Sequence, residues 1–88
     1  MPSNPRLKNA IFEVVDNQLR ENNPPETTLA YERLLNEGHS KSEAKRLIGC
    51  VVAAEMYYVM KNKEAFNIKR FAAALDRLPE IPGNDAGE

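Results

Sequence analysis

The sequence predicts an all-α protein, a compact bundle of about four helices with a long third helix at its centre. Three observations carry that prediction. Apolar residues recur at i, i+3 and i+4 in four segments, and no segment alternates as a strand would. Each segment is bracketed by residues that start or stop helices. The links between them are short, which favours antiparallel neighbours around one core.

The first helix starts at Asn4-Pro5, with Asn as N-cap and Pro at the first helical position. Leu7, Ile11, Val14, Val15 and Gln18 share one face, apolar except for Gln18. The helix ends near Asn22, because Asn23-Pro24-Pro25 forces a turn. The second helix is expected from Glu26 to Glu37, with Thr27, Tyr31, Leu34 and Leu35 inward. Leu29 faces the other way, and Gly38 fits the C′ position that closes the helix.

Ser40-Lys41-Ser42-Glu43 has the form of a capping box and opens a helix from Lys41 to Asn62. Ala44, Leu47, Ile48, Val51, Ala54, Glu55 and Tyr58 form its main stripe. The stretch Ile48–Met60, IGCVVAAEMYYVM, is apolar all round apart from Glu55. Such a helix must be covered on every side, either by the rest of the bundle or by a second copy of the chain. Gly49 and Ala53, four apart, would let another helix come close. After the polar break at Lys61–Glu64, Asn67 caps a fourth helix from Ile68 to about Leu78, with Ile68, Phe71, Ala74, Leu75 and Leu78 inward and Pro79 ending it. Residues 1–79 are thus expected to form one domain and residues 80–88 a flexible tail. The predicted core is Leu7, Ile11, Val14, Val15, Tyr31, Leu34, Leu35, Leu47, Ile48, Val51, Ala54, Tyr58, Phe71, Leu75 and Leu78.

With 88 residues there is room for one domain, burying roughly 60–65% of its surface by the usual size scaling. Hydrophobic content of 42% and charged content of 28% fit an ordinary soluble chain rather than a disordered one. The apolar run is too short to span a bilayer, and no signal-peptide h-region is visible. A single cysteine, Cys50, excludes an internal disulfide and points to a reducing cytoplasm. A net charge of -1 supplies no strong field for nucleic acid or anionic lipid.

Glu55 is the first candidate for chemistry. A carboxylate in an apolar stretch needs a partner, sits at a solvent-exposed rim, or takes a raised pKa and serves as acid, base or ligand. Gln18, also set in an apolar face, is the expected partner. A cluster of Glu13, Glu43 and Glu55 with His39 is the candidate metal or acid site. A lone histidine cannot build a multi-histidine centre, however, and no cofactor is implied. Lys41, Lys45 and Arg46 form a basic patch where LLNEGHSKSEAKRLIG has helix-turn-helix rhythm. From Leu47 to Met60 the third helix nevertheless offers no basic or amide side chain for base edges, so nucleic acid is not the expected partner. Gly49, Ala53, Met56, Tyr57 and Met60 are the candidate interface. Cys50 reads as a small buried hydrophobe.

The runs NPRL at 4–7, NQL at 17–19, PPE at 24–26, RLLNEGHS at 33–40, EA…IG at 43–49 and FNIKRFAAALDRLP at 66–79 resemble a family of small uncharacterised bacterial all-helical proteins, a domain of unknown function. The resemblance covers most of the chain and implies a helical fold in a bacterial cytoplasm. It supplies no activity. The resemblance implies histidines near the positions held here by Lys8, Ser42 and Arg46, so a metal site built on them is not expected here unless other groups supply the ligands.

Three functions follow as expectations. The first is a protein–protein interaction module, with a homodimer as one form. The second is a carboxylate-based metal-binding or enzymatic protein, and the third a nucleic-acid-binding domain using the basic start of the third helix.

Overall fold

The structure is a computed structural model that describes residues 5–81. It is a four-helix bundle: α1 Pro5–Glu21, α2 Pro25–Asn36, α3 Lys41–Asn62 and α4 Ile68–Arg77. The expected N-cap at Asn4 and the tail from Pro82 onward lie outside the described residues.

Local chemistry sets the ends. Ser40 Oγ accepts from Glu43 N–H at 3.0 Å and starts α3. The Glu43 carboxylate turns to Arg46 rather than back to Ser40. Asn67 Oδ1 accepts from Arg70 N–H at 3.0 Å and starts α4. Pro25 occupies the first turn of α2, one residue earlier than the sequence predicts. Gly38 at φ +101° turns the chain out of α2, a conformation that a Cβ would strain. Lys63 ends α3 in the left-handed region, φ 54°. No helix among the described residues is long and apolar enough to cross a membrane.

α3 packs against all three other helices, and α2 also lies against α1 and α4. The core is Val15 from α1, Ala30 and Leu34 from α2, Ala44, Leu47, Ile48, Val51 and Val52 from α3, and Phe71, Leu75 and Leu78 at and just beyond α4. Ile81 packs against it, so the domain reaches past Pro79. α1 runs antiparallel to α3, as Asp16 pairs with Lys45 at 2.9 Å while Ile11 sits on Gly49.

Three expected core residues lie at the surface. Leu7, in the first turn of α1, is 50% exposed. Val14 is 37% exposed, since neighbours on a helix diverge by 100° and Val15 takes the inward position. Tyr58 is 39% exposed, its ring spread over the Arg70 guanidinium. The second half of α3 is therefore not enclosed all round as expected. Met56, Tyr57 and Met60 are also exposed there.

Candidate functional site

Two features stand out on α3, on opposite sides. The first begins at Glu55, which is 5% exposed. Arg70 Nε donates to its Oε1 at 2.8 Å, Arg70 Nη2 donates to its Oε2 at 2.9 Å, and Asn67 N–H donates to Oε2 at 2.9 Å. Arg70 Nη1 reaches the Glu64 carboxylate at 2.7 Å. The guanidinium lies 5.0 Å from the Tyr58 ring centroid. Glu55 is thus clamped in the side-on geometry that suits a carboxylate.

This arrangement corrects two expectations. Gln18 is not the partner of Glu55. It accepts from Thr27 Oγ1 at 2.9 Å, because the antiparallel register sets the end of α1 beside the start of α3, away from Glu55. Nor is the Glu55 carboxyl raised. Hydrogen bonds from Arg70 hold it below the ordinary carboxyl value, aided by the Asn67 N–H and opposed by burial. Arg70 is raised for the reciprocal reason, with Glu64 contributing. Glu55 is an ionised structural anchor that ties α3 to α4.

The proposed metal or acid cluster does not assemble. Glu55 belongs to Arg70. Glu43 is bonded by Arg46 Nε and Nη2 at 3.0 and 2.6 Å, which lowers its carboxyl. Glu13 lies along the outer side of α1 in a shallow depression with Arg6, Asn9 and Asp16. The His39 N–H donates to Leu34 O at 3.1 Å in the α2–α3 turn. Among the described residues no three of His, Cys, Asp and Glu converge to hold a metal ion. In the predicted basic patch, Lys45 is paired with Asp16 and Arg46 with Glu43, while Lys41 is exposed.

The second feature is a groove of about 390 Å³ between α1 and α3, lined by Leu7, Lys8, Ile11, Phe12, Arg46, Gly49, Cys50 and Ala53. At 100° per residue, Arg46, Gly49, Cys50, Ala53, Met56, Tyr57 and Met60 all fall within about 60° of one line along α3. α1 covers the upper part of that stripe and leaves the lower part open. Tyr57 is 57% exposed and Met60 74%. The close approach that Gly49 permits is used within the chain, since a Cβ there would lie 3.2 Å from Ile11 Cγ2. Gly49 is therefore a seat for α1, whereas Ala53 lies on the groove floor and Met56, Tyr57 and Met60 extend the groove outward. Cys50 is half-buried in the groove wall rather than enclosed. Sequence reasoning missed Leu7 and Ile11 as groove residues, because their apolar spacing is also that of a core face, and it assigned Phe12 to no face.

Compared with protein-family models, with curated proteins and with solved structures, the chain finds no match in any of the three.

Proposed function

We propose that this chain is a protein–protein interaction module whose docking face is the α1/α3 groove together with Met56, Tyr57 and Met60. The observation that carries the reading is the continuity of exposed apolar surface: the groove floor runs directly into side chains 41–74% exposed. Contiguous apolar surface on a small soluble domain marks a place where another surface sits. Met and Tyr are suited to such a face, the first for its adaptable packing and the second for its rigid area. Of the charged groups, Glu55 is bound by Arg70 in the interior, while Lys45–Asp16 and Arg46–Glu43 pair within the chain at the surface.

A photo-crosslinking amino acid at position 60, with a control at the exposed Asp76 on α4, tests the reading in cells expressing the protein. One discrete adduct from position 60 and none from position 76 is the expected result. No adduct, or the same adducts from both positions, refutes it. Light scattering over a range of concentrations separates a second copy of the chain from a different partner.

A further inference from the structure

The charges around the groove narrow the kind of partner it fits, an inference that rests on the docking reading above. Lys8 and Arg46 line the groove, and no carboxylate lines it. Lys61 stands at its open end with its ammonium 5.4 Å from the Tyr57 ring centroid. Arg46 is neutralised by Glu43 through Nε and Nη2 and offers only Nη1 as a further donor, so the excess positive charge along the groove is that of Lys8 and Lys61. Ile11 faces Gly49, so Lys8 lies about one turn further along, near Ala53. The three cations are therefore strung along the groove instead of converging on one point. Arg46 and Ala53 are separated by about 10 Å along α3, and Arg46 and Met60 by about 21 Å.

We propose that the groove takes an acidic, apolar-faced helix of a partner protein, and not a second copy of this chain. A small anion would need the cations gathered around it, whereas a helix of about four turns spans the stripe from Arg46 to Met60. Its apolar face fills the groove, and its Glu or Asp side chains meet Lys8, Arg46 and Lys61 at the rim. Packing this face on itself in a two-fold dimer would place cations on both sides with no carboxylate lining either groove, an arrangement that like charges oppose. A bilayer surface fits the face less well than a helix, because a flat surface cannot fill a furrow between two helices.

The test is a display library of amphipathic helical peptides about four turns long. The apolar face is fixed, and the flanking positions are randomised among Glu, Lys, Gln and Ser. The library is selected on the full chain, on the groove-blocking variant Ala53→Glu, and on Lys8→Glu/Lys61→Glu, each shown to be folded by circular dichroism. Glu should be enriched over Lys at flanking positions by roughly tenfold, the sum of a few exposed ion pairs. The enrichment should vanish on Ala53→Glu and move toward Lys on the charge-reversed variant. Peptides retained without a preference for Glu, yet lost on Ala53→Glu, overturn the charge inference and leave the docking face standing. Concentration-dependent dimerisation that Ala53→Glu abolishes does the same. Absence of any enriched peptide overturns both readings. So does sedimentation with phosphatidylserine vesicles that Lys8→Glu/Lys61→Glu abolishes.

Discussion

Replacing Glu55 by glutamine keeps the side chain's shape but removes its charge and one acceptor from the α3–α4 junction. Three donors converge on the carboxylate: Arg70 Nε on one oxygen, and Arg70 Nη2 with Asn67 N–H on the other. An amide has a single oxygen, so whichever way it turns, its NH2 group faces at least one donor. The lost charge-assisted bond is worth about 1.5–3 kcal/mol. The upper end of that range is not reached, because Arg70 is 31% exposed and retains Glu64 and water. Glu55→Gln should therefore cost about 2 kcal/mol at pH 7. The pH dependence gives a second check. The folded Glu55 carboxyl is held below its ordinary value of 4.5, so its stabilisation is fully present above that value. Below it the unfolded chain takes up the proton first, and wild type loses up to about 1.36 kcal/mol per pH unit until the folded carboxyl is also protonated. The variant lacks this titration. Urea denaturation followed by far-UV circular dichroism at pH 7, 5, 4 and 3 should show the gap between the two proteins closing as pH falls. A gap below about 0.5 kcal/mol at pH 7, comparable to the extrapolation error, would refute the anchoring role, as would a gap unchanged down to pH 3.

Other perturbations test neighbouring parts of the scaffold. The double substitution Glu55→Leu/Arg70→Leu should recover most of the loss, because an apolar pair tolerates burial better than a stranded charge; a double variant weaker than Glu55→Gln in the same urea series would contradict this. Arg33 Nη2 donates to Leu75 O and Leu78 O, both at 3.1 Å, and so satisfies carbonyls at the end of α4. Arg33→Ala should cost about 1 kcal/mol and quicken amide exchange in α4 ahead of α1; uniform exchange would refute the local role. Gly49→Leu should displace α1 and cost about 2 kcal/mol or more, whereas Met60→Ser, at a site 74% exposed, should change the denaturation midpoint little. Equal effects at those two positions would contradict the division between internal seat and open face.

Much of the scaffold was legible because its signals are local. Ser40 and Asn67 mark helix starts through their own side chains, and α3 spans Lys41–Asn62 as the periodicity predicts. What sequence could not supply was which long-range partner each polar residue takes. Glu55 in an apolar run demands a hydrogen-bonding partner, and the periodicity points to Gln18 on the facing apolar stripe, while nothing local in the sequence directs Arg70 toward α3. Only the packing of α4 against α3, with the Asn67 cap setting Arg70 at the edge of the Phe71 face, decides for Arg70. The candidate site was half legible for a related reason. Gly49 and Ala53 signalled a close helix approach, yet that signal is the same whether the approaching helix belongs to this chain or to another. Here α1 takes Gly49 and leaves Met56, Tyr57 and Met60 open.

The chain divides its cations by chemistry. Arginines 33, 46 and 70 each use the planar fork to bond more than one acceptor, whereas lysine contributes a single ion pair, Lys45 to Asp16, among the contacts described. Reductive methylation keeps a lysine's positive charge and should leave the scaffold standing while it alters the chemistry of the surface. A reagent directed at guanidinium groups would instead strike Arg33 and Arg70, which tie α4 to α2 and to α3, along with Arg46 on the groove. Selective labelling of the two residue types can thus separate what holds this bundle together from what it shows to its surroundings.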